Sequence, residues 1–270
     1  MPKIVDCFCF YNEFGMLDFR LKYLNDYVDY FVLIESDLTF SGNPKELLFE
    51  KNKHLYEKYK DKLIHSVVKI PTIEENPCPW SRDHAQKNLI DVGISKIDLN
   101  DDDIIIISDL DEIPDRNMVV EMKNNIKNDY CYKLYQDYYF YNLTCRNRAK
   151  WYFSKIVNYY TYKNKFNRRP DDIRYFDEKE AIIDIKNGGW HFAYFGDLDF
   201  IKNKIRNFTH QEYNKEEYLN DNMMIHQIVN KGDLFFRSGE DCYRYDNCPI
   251  ETNNYLPDNY EELMKFQNNL

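Results

Sequence analysis

Asp109 and Asp111 stand one residue apart, directly after the run Ile104-Ile105-Ile106-Ile107-Ser108. Two carboxylates this close repel each other unless a cation joins them. Oxygen donors of this kind suit Mg²⁺ or Mn²⁺, ions that keep positions open for water and for substrate phosphates. The pair therefore points to a metal that links protein carboxylates to a nucleoside diphosphate. The plainer reading is an acidic strand-to-helix turn in which Asp111 or Glu112 caps the helix.

The elements that must position the pair are readable around it. Four consecutive β-branched residues predict a short strand buried on both faces. Pro114 suits the first turn of a following helix through Met118, Val119, Met122 and Ile126. Both aspartates then lie at the carboxyl end of a central strand, where open α/β sheets bind ligands. Upstream, strands are predicted at 3–10, 30–34 and 64–70, and helices at 14–26, 51–59 and 80–92. This alternation signals a mostly parallel sheet. The second half reads differently, with aromatic–polar alternation at 131–141 and 151–162 predicting antiparallel strands. Short strands follow at 181–185, 190–195 and 234–237, helices at 197–208 and 215–229, and a helical tail from 258.

At 270 residues the chain can hold one large core, and no flexible linker divides it. Net charge is −10, from 46 acidic and 36 basic residues, which argues against a broad nucleic-acid surface. An anionic ligand then needs a local cation, either a metal or clustered Arg. The seven cysteines show no C-x-x-C pair, so neither a zinc site nor a disulfide framework is indicated. The first six residues carry no apolar signal region, and no apolar run approaches the ~18 residues of a membrane span. These features predict a soluble protein of a reducing compartment, cytoplasmic or otherwise intracellular.

Several blocks, in order, resemble glycosyltransferase family 17. They are Tyr11-Asn12-Glu13, residues 32–35 with 39–42, residues 80–88, Ser108-Asp109-Leu110-Asp111-Glu112-Ile113-Pro114, and Gly189-Trp190-His191-Phe192. The likeness runs from about residue 3 to 240. It implies a GT-A type α/β fold over residues 1–270, with a nucleotide-sugar half (1–127) and an antiparallel acceptor-side half (128–270). It also implies inverting transfer from a nucleotide sugar, UDP-N-acetylglucosamine by family likeness, to a glycan hydroxyl.

Under that resemblance Asp109 and Asp111 form the metal motif. His191 is the expected further ligand, since imidazole suits Mn²⁺; His210 and His226 are the other histidines considered. Asn12, Glu13 and Glu35 end the first two strands and are expected at the donor. Arg82 could meet a phosphate through two parallel hydrogen bonds, and Asp83 and Gln86 could bond the base or sugar. Asp109 could also contact the ribose. Trp80 could stack on a ring or staple its helix. Glu240 and Asp241 are the expected catalytic bases, with Glu178, Asp199 and Glu212 considered beside them. Two other activities remain open on the sequence: an aspartate-nucleophile phosphatase and a non-catalytic carbohydrate-binding module.

Overall fold

The computed structural model describes residues 1–237, 239–240 and 243–270. Seven strands form the larger sheet: β1 Ile4–Phe10, β2 Tyr30–Ser36, β3 Leu63–Val68, β4 Ile104–Ile107, β6 Cys131–Leu134, β9 Lys155–Asn158 and β10 Ile182–Ile185. Their spatial order is β10-β6-β9-β4-β1-β2-β3. Strands β3, β2, β1 and β4 run parallel, as the alternation predicts, and β6 pairs parallel with β10. Only β9 runs against its neighbours. A second sheet of five, in the order β12-β8-β7-β11-β5, joins β12 Tyr245–Asn247, β8 Cys145–Asn147, β7 Asp137–Phe140, β11 Gly189–Ala193 and β5 Glu112–Pro114. It is antiparallel except between β7 and β11.

Strand β4 is buried along its whole length, with each isoleucine at most 1% exposed. Ile104 and Ile106 face one apolar cluster with Ile4, Phe8 and Leu17. Ile105 and Ile107 face the other, with Val5, Cys7, Ile94 and Tyr162. Full burial of each such side chain contributes roughly 1.5–3 kcal/mol, enough to hold this strand at the centre. The first cluster continues through Tyr139, Trp190 and Phe192, so it packs the smaller sheet against the larger one. No helix among the described residues is long and apolar enough to cross a membrane.

Several expected elements take another form. Pro114 ends the three-residue edge strand β5 rather than opening a helix. A proline is tolerated at such an edge, and the helix Arg116–Asn125 starts two residues later, capped by Asp115, whose side chain accepts from the Asn117 N–H at 2.8 Å. Neither Asp111 nor Glu112 is the cap. Gly189 permits this junction: it has φ +125°, and a Cβ there would lie 2.0 Å from the Ile113 carbonyl oxygen.

The predicted strand 131–141 breaks at Tyr135-Gln136, and its two parts enter different sheets. Only the first part pairs antiparallel with β9. After Asn158, whose side chain caps Thr161, the other aromatic run becomes the short helix Tyr159–Asn164. The predicted helix 215–229 is divided where Asn220 caps the second piece, Asp221–Val229. Residues 234–237 form a turn. The Asp233 carboxylate accepts from the N–H groups of Phe235 and Arg237, and Phe236 has φ +55°. The predicted helix 80–92 divides at Leu89 into Pro79–Asn88 and Ile90–Ile94. Val92 is exposed, whereas Arg82, Asp83, Gln86 and Lys87 are buried. A polar face that turns inward signals a site.

Candidate active site

The acidic turn after β4 is held from beneath by Arg20, on the helix Phe14–Leu24. Its guanidinium is wholly buried and pairs with Asp6 of β1 through Nε at 2.8 Å and Nη2 at 2.6 Å. From Nη1 it donates to the carbonyls of Asp109 at 2.7 Å and of Leu110 and Glu112 at 3.0 Å. The rigid fork of five donors suits this task, which a lysine could not perform. Glu112 closes the turn from the other side. It is fully buried and accepts from the Asp109 N–H at 2.9 Å, Ser154 Oγ at 2.7 Å, Arg174 Nη1 at 2.7 Å and the Trp151 indole. Burial pushes the Glu112 carboxyl up, but the Arg174 charge prevails and holds it well below the usual range. With their backbone clamped, Asp109 and Asp111 project into a cavity of about 470 Å³.

The cavity lies at the carboxyl ends of β1, β2 and β4, against the helix Pro79–Asn88 and the aromatic residues Tyr138, Trp151 and Phe153. Its two aspartates have separate surroundings. Asp109 meets the Arg174 guanidinium and lies 3.7 Å from Lys87 Nζ. Burial dominates there and raises its pKa, in spite of the two cations. Asp111 Oδ2 accepts from Lys204 Nζ at 2.8 Å, and Oδ1 lies 3.4 Å from His191 Nε2. Burial raises the Asp111 carboxyl as well, but Lys204 and His191 more than offset it and keep it well below the ordinary value. The His191 ring stacks on Tyr138 with centroids 4.5 Å apart. Its Nδ1 is buried with no hydrogen-bond partner among the described residues.

One further cation is unusual. Lys45 Nζ lines the cavity, is buried, and has no hydrogen-bond partner among the described residues. Burial lowers its pKa, even though Glu35 and Glu13 act in the opposite sense. It lies 5.1 Å from the centre of the Tyr11 ring, and a buried ammonium without a hydrogen-bond partner is costly unless something anionic meets it.

The sequence pattern of Glycosyltransferase family 17 matches residues 1–257. The chain belongs to glycosyltransferase family 17. Its curated relatives include the beta-1,4-mannosyl-glycoprotein 4-beta-N-acetylglucosaminyltransferases of Rattus norvegicus and Homo sapiens, each 30% identical over 125 residues. That alignment covers 45% of this chain and 23% of the rat protein, or 24% of the human one. The chain thus aligns with about a quarter of the length of the curated relatives it matches.

In this family 17 chain, Glu13, Asp83, Gln86, Asp109, Asp111 and His191 all line the one cavity, as do Trp80 and His210. Asn12 lines a neighbouring one. Glu35 does not reach either. Its carboxylate accepts from the Phe49 N–H at 2.8 Å and the Glu50 N–H at 3.1 Å, which caps the short helix Leu48–Asn52. Arg82 lines neither cavity: Nε donates to the Phe40 carbonyl and Nη1 to the Asn76 carbonyl, each at 2.7 Å. Glu240 is exposed and lines neither cavity, and Asp241 lies outside the described residues. His226 is also exposed. Sequence reasoning missed Arg20, Lys45, Lys87, Arg174 and Lys204. For Arg20 a signal existed, since position 20 shares a helix face with Leu17, Leu21 and Leu24. The others carry no local mark.

Proposed function

We propose that the chain transfers a sugar, N-acetylglucosamine from its UDP ester, to a glycan hydroxyl with inversion, and that the two sheets form a GT-A type scaffold. The observation that carries this reading is the cavity itself, where an acid–imidazole pair stands beside cations suited to a diphosphate. Asp111 and His191, 3.4 Å apart, would hold a divalent ion between a carboxylate oxygen and an imidazole nitrogen. The described residues assemble no group of three or more His, Cys, Asp or Glu ligands. Mg²⁺ and Mn²⁺ need only one or two protein carboxylates and keep positions for phosphate and water. Imidazole favours Mn²⁺. Asp109, tied to Arg174 and Lys87, serves the electrostatics of the site rather than the ion directly.

When bound, the ion supplies Lewis-acid neutralisation of the leaving diphosphate. The chain's own residues do the rest. Lys45 gains in phosphate the partner it lacks. Lys204 can exchange its bond to Asp111 for a phosphate oxygen while it stays on the same wall. Asp83 and Gln86 face the donor from the helix Pro79–Asn88. The aromatic wall of Tyr138, Trp151 and Phe153 excludes water, which strengthens each of these charges. Donor and acceptor held in line need only a base for the acceptor proton.

Calorimetry of UDP binding tests the proposal. Mn²⁺ should increase UDP affinity, and both Asp111→Asn and His191→Ala should remove the increase. UDP affinity that is indifferent to Mn²⁺ and to both substitutions would overturn it.

A further inference from the structure

A second cavity of about 440 Å³ lies on the other side of Asp111 and shares Glu13, Asp111 and Lys204 with the first. We infer that it receives the acceptor sugar, and that Glu13, at the junction, takes the proton from the attacking hydroxyl. This inference rests on the sugar-transfer reading of the first cavity.

The lining of this cavity suits a sugar. Phe14, Phe195 and Phe266 offer apolar faces, and Asn12 offers an amide. Aromatic faces and charged or amide groups share the wall, and the volume falls within the ~300–1,000 Å³ of small-ligand sites. An acceptor placed here meets the donor across the Asp111–Lys204 pair, so the hydroxyl and the anomeric carbon approach from different cavities.

A base for this reaction must face both cavities and must keep an oxygen for the hydroxyl. Asp83 is paired with Lys87, and Asp109 with Arg174. Asp111 is engaged with Lys204 and is assigned to the ion. Asp197 lines only the second cavity, and its side chain caps a helix through the Phe200 N–H. Glu13 lines both. It precedes the helix Phe14–Leu24 without a side-chain capping bond; its Oε2 accepts from the Asn12 N–H at 3.2 Å, and its Oε1, 4.0 Å from Lys204 Nζ, is the oxygen left for the hydroxyl. The step balances. The hydroxyl oxygen bonds to the anomeric carbon as the bond from that carbon to the diphosphate oxygen breaks. The proton passes to a Glu13 oxygen, and the bonding electrons leave on the diphosphate.

The test uses UDP-N-acetylglucosamine with mannose- and N-acetylglucosamine-terminated oligosaccharides as probe acceptors, and follows transfer, donor hydrolysis and UDP affinity together. Glu13→Gln, close in shape to the native residue, should keep UDP affinity within about twofold. It should lose transfer and hydrolysis by on the order of 10²–10⁴. Lys265→Trp, at the rim of the second cavity, should raise acceptor KM by about tenfold or more with UDP affinity unchanged. Transfer by Glu13→Gln within about threefold of wild type, or an unchanged acceptor KM in Lys265→Trp, overturns the inference and leaves the donor-site reading intact. A wild-type protein that neither binds UDP nor cleaves the donor overturns the reading beneath it.

Discussion

The carboxylate of Asp6 and the guanidinium of Arg20 lie 2.6 Å apart with no solvent exposure on either side chain. The pair joins the first strand and the first helix to the backbone of the acidic turn, since Arg20 also donates to three carbonyls between Asp109 and Glu112. Breaking such a pair by removing one partner costs about 3–5 kcal/mol, because a buried charge is left alone. Arg20→Met should therefore lower the unfolding free energy by about that amount in a denaturant titration. Asp6→Leu combined with Arg20→Met should recover much of the loss, yet bind UDP with Mn²⁺ poorly, since the turn carbonyls lose their donors. A double variant with full nucleotide affinity would show that the pair serves folding only.

Lys45 separates binding from stability. Its ammonium is buried over the Tyr11 ring without a hydrogen-bond partner among the described residues, so the free protein bears much of the cost of desolvating it. Lys45→Met should raise stability by about 1 kcal/mol and weaken UDP binding by about tenfold or more. Thermal melts and calorimetry on the same sample check both signs. A variant that is less stable and binds UDP as well as wild type would remove Lys45 from the donor site.

Glu35 behaves in the opposite way. It satisfies two N–H groups at the start of a short helix and stands away from the cavity. Glu35→Ala should cost about 1–2 kcal/mol of stability while UDP affinity changes less than about twofold. Denaturation and calorimetry again distinguish a cap from a ligand.

Lys155 gives a pH signature. Burial lowers its pKa to about 8, with Cys131 acting against the shift. Its ordinary value is ~10.4, so between these limits the unfolded chain holds a proton that the folded chain has released. Stability from this group therefore rises as pH increases through that window, and below about 8 the buried charge is a full burden. Lys155→Met removes the burden. Its advantage over wild type should be greatest near neutral pH, on the order of 3 kcal/mol, and should shrink toward the upper limit. Urea titrations of both proteins from neutral to alkaline pH measure the difference; a constant gap would show that Lys155 titrates normally.

What the sequence by itself determined is local. Four β-branched residues in a row have few stable environments other than a strand covered on both faces, and β4 is that strand. Because the acidic pair follows it without an intervening residue other than Ser108, its place at the ligand edge of the sheet was also readable. So were the parallel order of the first strands and the inward course of His191, which the family blocks pointed to. Tertiary structure alone decided which charges meet. Arg174 and Lys204 come from helices far along the chain, and nothing near them in sequence distinguishes them from solvated surface residues. Glu35 and Arg82 carry the right chemistry at plausible positions, yet each is satisfied by backbone groups that chain folding brings beside it. Periodicity records which face of an element is buried. Partner choice depends on which elements dock together, and that is set by long-range packing, as the meeting of two cavities at Glu13 makes plain.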